Sequence, residues 1–263
     1  MTSESQEIST LLAAAFGGEH GSVTPPIVQS SLFTFDSYQA FEDRMAARTD
    51  TAIYTRVQNP TVAAFEALMA TAERGEAAVG FASGMAAISS TLFALVKPGD
   101  RIACVEHAYP DAYRLFERLL KPFGVDVTYH PVSAFEDDPD LLKDVRLAYL
   151  ESPNSVVFQP MNLPKVAEHA RRHGALTVID NSWATPIFQN PLSLGIDIVV
   201  HSASKFISGH SDTVAGVVVS SHEMIDRIRD ISLSLLGAKL APFEAFLLTR
   251  GLRTLDARMR QHQ

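Results

Sequence analysis

The sequence predicts an α/β fold, a mainly parallel sheet with helices on both faces. Three observations carry this. From residue 77 onward, short apolar runs alternate with longer runs of helical period. The short runs are apolar throughout, as expected of strands covered on both faces. The joints hold turn and cap residues, such as Asn59-Pro60, Pro98-Gly99-Asp100 and Gly174.

Residues 1–50 read as an N-terminal arm with little core of its own. Ile8 to Ala15 is a short helical patch that Gly17-Gly18 breaks, and Ser30 to Phe35 is an extended segment or strand. Pro60 starts a helix over Thr61 to Arg74, with Val62, Phe65, Leu68 and Met69 on one face. Ala77 to Phe81 is a strand, and Ser83-Gly84-Met85 opens an apolar helix to Leu95. Arg101 to Glu106 and Val125 to His130 are strands, separated by a helix over Ala112 to Leu120. Val145 to Leu150 is a strand that ends in Glu151-Ser152-Pro153-Asn154-Ser155. Asp137-Asp138-Pro139-Asp140 reads as a solvated acidic turn. Pro164 to His173 is a helix with Lys165, Glu168, Arg171 and Arg172 outward. Its His169 and His173 share a face, but the glutamate of a metalloprotease helix is absent, so no metal is expected. Leu176 to Ile179, Ile196 to Val200 and Ala215 to Ser220 complete the strands.

Composition narrows the function classes. The chain has 263 residues, 46% hydrophobic and 20% charged, with 22 basic against 30 acidic side chains and a net charge of −8. No basic run is present, so nucleic acid is not an expected partner. A single cysteine, Cys104, cannot build a disulfide framework and fits a reducing compartment. Met1 to Glu7 is polar and unlike a signal peptide, and no apolar run approaches the ~20 residues of a membrane span. A soluble, cytoplasmic protein is expected, with no membrane partner.

In a parallel α/β sheet, ligands bind beyond the carboxyl ends of the strands. Those ends hold Ser83-Gly84, Tyr109, Glu151 to Ser155, Asp180 and Ser202-Ala203-Ser204-Lys205. Lys205 stands between two apolar strands, where an isolated ammonium is costly to bury, so a chemical use is expected for it. Ser83-Gly84 at a helix start is an anion site. Tyr54 and Arg56 alternate about Thr55 and could clamp a phosphate together, or form a plain surface pair.

Three chemistries suit this set. The first is a pyridoxal phosphate enzyme. Lys205 would take the cofactor aldehyde and Asp180 the pyridine nitrogen. Ser83, Gly84, Met85, Ser202 and Ser204 would hold the phosphate, and Tyr109 would stack on the ring. The second is a Ser-x-x-Lys hydrolase built on Ser202 and Lys205, although its companion Ser-Asp-Asn and Lys-Thr-Gly strings are absent. The third leaves Lys205 as a surface turn residue. The hydroxyl-rich run around it argues against that reading without deciding it.

The run Ser202-Ala203-Ser204-Lys205-Phe206-Ile207-Ser208-Gly209-His210-Ser211-Asp212 resembles the lysine motif of the Cys/Met-metabolism family of pyridoxal phosphate enzymes. Further segments match in order: Tyr54-Thr55-Arg56 with Asn59-Pro60-Thr61, Phe81 to Met85, Ala108-Tyr109, Val178 to Ala184, and Thr249 to Leu255. The resemblance implies an aspartate-aminotransferase-like fold (fold type I). It implies a cofactor-binding large domain at 51–240, and at 241–263 a linking helix with the start of a small C-terminal domain that is largely missing. It gives Lys205 the cofactor aldehyde and later a proton. Tyr54 and Arg56 would reach the cofactor phosphate of a neighbouring subunit, implying a homodimer or homotetramer.

Glu151-Ser-Pro-Asn-Ser155, Trp183 and the tail Arg250 to Leu255 with Arg258 to His262 resemble the bacterial cystathionine β-lyase branch, and Tyr109-Pro110-Asp111 lacks the Tyr-Gly-Gly or Tyr-Gly-Cys of the γ-synthases and methionine γ-lyases. That implies β-elimination of cystathionine to homocysteine, pyruvate and ammonia. A γ-replacement transferase, or a piece that only binds the cofactor, are the alternatives.

Overall fold

Seven strands form one sheet in a computed structural model that describes Thr10, Leu12, residues 22–46 and residues 51–263. The strands are β1 (Ala77–Phe81), β2 (Arg101–Val105), β3 (Asp126–His130), β4 (Leu147–Glu151), β5 (Leu176–Asp180), β6 (Ile198–His201) and β7 (Gly216–Ser220). Their spatial order is β1-β7-β6-β5-β4-β2-β3. The pairs among β2 to β6 are parallel, and β7 runs antiparallel to both β6 and β1. The mainly parallel sheet read from the sequence is therefore present, with one reversed strand. The link from β6 to β7 carries the Lys205 turn and no crossover helix, so the chain turns back on itself there.

The first three helices are each started by a side-chain cap. α1 (Tyr38–Met45) is capped by Ser37, whose side chain accepts from Ala40 N. α2 (Pro60–Glu73) is capped by Asn59, whose side chain accepts from Thr61 N, with Pro60 in the first turn. α3 (Gly84–Leu95) is capped by Ser83, which accepts from Ala86 N at 3.0 Å. The helix expected over 112–120 appears as α4 (Pro110–Leu115), widening into a π-helical turn over Phe116–Leu120. α5 (Val132–Asp137) precedes the acidic turn. α6 (Leu163–His173) ends at Gly174, where φ is +68°. α7 (Thr185–Phe188), α8 (His222–Arg229), α9 (Pro242–Leu252) and α10 (Leu255–His262) follow. The 241–263 segment is thus two helices.

Strand alternation sorts the core onto two faces. On one, Ile88, Leu92 and Leu95 of α3 pack on Val79, Val178, Val200 and Val218. On the other, Val62, Phe65, Leu68 and Met69 of α2 meet Val217, Val219 and the α9 residues Ala245, Leu248 and Leu252. Val166, Ala167 and Ala170 of α6 extend that second face over Leu150, Ile179 and Val199. Lys165, Glu168, Arg171 and Arg172 point outward as expected. The segment over Ser30 to Phe35 lies extended against residues 53–55, with Phe33 N donating to Ile53 O and Thr55 N to Ser31 O. Of the helical patch at Ile8 to Ala15, Thr10 and Leu12 are helical; the rest lies outside the described residues, as does Gly17-Gly18.

Candidate active site

Asp180 and the Lys205 turn leave the sheet side by side. Asp180 ends β5 and pairs with Val200 on β6, and the turn over Ser202 to Lys205 follows β6 directly. Asp180 is 8% exposed, and its Oδ1 accepts from Ser182 N at 2.9 Å. Burial pushes its carboxyl up from the ordinary range. The Ser182 hydrogen bonds and the His201 charge pull partly the other way. Ser182 Oγ also accepts from Ser202 N at 2.6 Å, so the two strand ends are stitched together.

The helix start beside them is brought in by two glycines. A Cβ on Gly84 would lie 2.8 Å from both Ser202 Cβ and Oγ, and one on Gly216 would lie 2.2 Å from Ser83 O. Only the bare backbone lets α3 begin against Ser202 and β7. The first-turn N–H groups of Gly84 and Met85, with the positive helix end, are of the kind that can hold an anion. Gly216→Ala is therefore expected to destabilise the apoprotein by about 2 kcal/mol through overpacking. Urea unfolding reads this as a lower midpoint, and an unchanged midpoint would show that the contact is soft.

Ser204 is more committed than its motif suggests. Its hydroxyl donates to Ala215 O at 3.1 Å and accepts from Ala215 N at 2.8 Å. It braces the turn across to β7. Lys205 itself is exposed, which corrects the expectation of a buried ammonium: the turn carries it past the strand end, out of the apolar layer. Behind the turn, the Arg258 guanidinium on α10 donates to Phe206 O at 2.5 Å, Ile207 O at 3.4 Å and Gly251 O at 2.7 Å. The C-terminal helices thus hold the loop that follows Lys205.

Tyr109 stands at the start of α4, 41% exposed, and its hydroxyl donates to Asp111 Oδ2 at 3.2 Å. Burial and the Asp111 carboxylate raise its phenol above the ordinary value. Its backbone N–H donates to Glu151 Oε2 at 2.8 Å. Glu151, cited in the sequence only as a strand end and family marker, is the register partner of Asp180. Burial, then the Asp180 charge, pushes its carboxyl up to about 7. The signal that could have found it was two acids closing adjacent buried strands.

That shift has a sign. Unfolded, Glu151 loses its proton near 4.5; folded, it holds the proton to about 7. Its contribution to stability is full below the lower value, falls across that window and stays lost above it, a difference of up to about 3 kcal/mol. Glu151→Gln should flatten the pH dependence of apoprotein stability there and stabilise the protein at pH 8. A slope unchanged from wild type would contradict this.

Tyr54 and Arg56 form their own pair, with the guanidinium carbon 5.2 Å from the ring centroid, both exposed. They precede α2, apart from the turn that carries Lys205. His169 and His173 do not share a ligand: Nδ1 of the first faces Phe135 O at 3.1 Å, and Nε2 of the second faces Pro139 O at 2.8 Å.

The sequence profile of the Cys/Met metabolism PLP-dependent enzymes matches residues 10–263. The chain belongs to that family. Among the family's characterised proteins, an L-methionine gamma-lyase of Fusobacterium nucleatum subsp. nucleatum is 40% identical over 246 residues, covering 92% of this chain and 62% of that protein. A cystathionine gamma synthase structure from Xanthomonas oryzae pv. oryzae, in complex with aminoacrylate and cysteine, superposes with a TM-score of 0.89 at 36% identity, over 97% of this chain and 65% of that one. A putative O-acetylhomoserine (thiol)-lyase from Campylobacter jejuni, containing N'-pyridoxyl-lysine-5'-monophosphate, gives 0.89 at 25% identity, over 97% and 72%. This member thus spans about three fifths of the length of its curated relative. The fold is the type I PLP fold of these family members.

The family's cofactor fits the residues present. A buried carboxyl closes β5 for a protonated ring nitrogen, and a helix start without a Cβ at Gly84 offers room and N–H groups to a phosphate. An exposed amine, Lys205, follows from the adjacent strand. Among the described residues, no helix is long and apolar enough to cross a membrane, and no His, Cys, Asp and Glu group could hold a metal ion.

Proposed function

We propose that this chain is the cofactor-bearing part of an enzyme that breaks or exchanges the carbon–sulfur bond of a sulfur amino acid. One juxtaposition supports the reading most: Asp180 and the Lys205 turn on adjacent strand ends, with the Gly84 helix start pressed on Ser202. Pyridoxal 5'-phosphate bound there supplies an electron sink for the pair left when an amino acid loses its Cα proton. Asp180 holds a proton on the ring nitrogen. Glu151, the acid more ready to stay protonated at neutral pH, spares Asp180 a second negative charge. Gly84 and Met85 offer N–H groups to the phosphate, with hydroxyls from Ser83 and Ser202. Ser204 joins them by releasing Ala215 O. Tyr109 would stack on the ring. Lys205 Nζ takes the Cα proton and returns it to a later carbon. Tyr54 and Arg56 serve the phosphate of a second copy in a homodimer or homotetramer. Residues 51–240 form the cofactor domain, and the helices of 241–263 pack on it and brace the loop after Lys205. The lone thiol Cys104 is buried, in keeping with a cytoplasmic enzyme.

Chemistry at the γ-carbon is the reading we favour, since two of the relatives carry gamma in their names. Glu151-Ser-Pro-Asn-Ser155 and Tyr109-Pro110-Asp111 favour a second reading, β-elimination of cystathionine. Incubation with cystathionine separates them. Release of 2-oxobutyrate supports the γ reading, and pyruvate supports the β reading and sinks the γ one. A cofactor-loaded protein that releases neither, and consumes no O-acyl-homoserine with a thiol, is a binding piece only.

A further inference from the structure

Behind the site, on the other face of the sheet, three buried polar side chains meet. Glu73 closes α2 and His201 closes β6, and both are fully buried, with 2.6 Å between Glu73 Oε1 and His201 Nε2. The same oxygen accepts from Asn181 Nδ2 at 2.8 Å. Gln189 Nε2 donates to Asn181 Oδ1 at 2.9 Å and to Ser152 O at 3.0 Å. One carboxylate therefore gathers the ends of β5 and β6, and through Gln189 the end of β4.

Folding stability alone accounts poorly for this group. Glu73 Oε2 and His201 Nδ1 are buried with no hydrogen-bond partner among protein atoms. A buried polar pair with unmet groups adds little to stability, and apolar side chains of similar volume in place of the whole group usually serve as well or better. What the group does achieve is fixed spacing. Asn181 follows Asp180 in the chain, and His201 precedes Ser202 and the Lys205 turn. Ties of 2.6 and 2.8 Å to one oxygen hold those two peptide segments in one register.

We infer that Glu73 is a positioning residue, acting through His201 and Asn181 to set the separation between Asp180 and the Lys205 turn for pyridoxal 5'-phosphate. The inference rests on the cofactor reading above. Glu73 touches no reacting atom in this scheme, and its effect reaches the cofactor through two strand ends.

Two substitutions test it, read by pyridoxal 5'-phosphate titration of the visible absorbance band and by the thermal midpoint of the apoprotein. Glu73→Leu is expected to weaken cofactor binding about tenfold or more and to shift the band, and it also lowers the apo midpoint because His201 and Asn181 lose their acceptor. Glu73→Gln keeps an acceptor for both partners and is expected to bind within about threefold of wild type. Wild-type affinity and band in Glu73→Leu would overturn the inference and leave the cofactor reading standing. So would a loss of affinity with an unshifted band, the mark of a purely structural role. No band in the wild-type protein would instead sink the cofactor reading. Should Glu73→Leu not fold, Asn181→Ala removes one arm of the same tie. A shifted band and weaker binding are then expected, and wild-type values would overturn the inference.

Discussion

Lys205→Ala is expected to abolish the visible band of the cofactor-loaded protein and to lower any turnover by about 10³-fold or more. The size follows from the double duty proposed for Nζ, to hold the cofactor aldehyde and to move the Cα proton. The exposure of Lys205 makes the experiment clean. An exposed side chain in a turn can be truncated at a stability cost of about 0.5 kcal/mol or less, so a loss of turnover reports chemistry and not unfolding. Circular dichroism of the variant checks that point. A band that survives the substitution would move the aldehyde to another lysine and break the site as drawn.

Asp180→Asn is expected to leave the cofactor bound but slow turnover by about 10²-fold or more, a barrier rise of about 3 kcal/mol. Asparagine keeps the size of the side chain and can still accept from Ser182 N, the hydrogen bond that orients Asp180 at 2.9 Å. It cannot hold a proton on a ring nitrogen as a carboxylate does, so the electron sink weakens while the phosphate cradle at Gly84 stays whole. Steady-state rates with cofactor in excess read this directly. Wild-type rates in the variant would mean that Asp180 does not face the ring.

The fold and the site were legible to different degrees. Buried strands of apolar residues, with caps at Asn59 and Ser83, fixed element types because period and cap chemistry are local signals. The reversal of β7 was not legible, since the β6–β7 link is long enough for a crossover and instead holds the Lys205 turn. α1, α5, α7 and α8 were not legible because each is short, and the linking helix expected at 241–263 is split into α9 and α10. The exposure of Lys205 was missed because flanking strands were taken to bury a residue that the turn carries outward. The motif residues Asp180, Ser83, Gly84 and Ser202 were legible from their strand ends, and the sheet brings them together. Glu151 and the Glu73–His201–Asn181 group were not legible, since their partners lie far along the chain and only the register aligns them.

The most direct test of the site is to load the protein with pyridoxal 5'-phosphate, reduce it with borohydride and map the modified peptide. Six lysines are candidates. Lys121 and Lys165 already pair with Glu117 at 2.6 Å and Asp137 at 3.3 Å. The account predicts a stoichiometric pyridoxyl mass on Lys205 alone. Incorporation at any other lysine, or none at saturating cofactor, would contradict it.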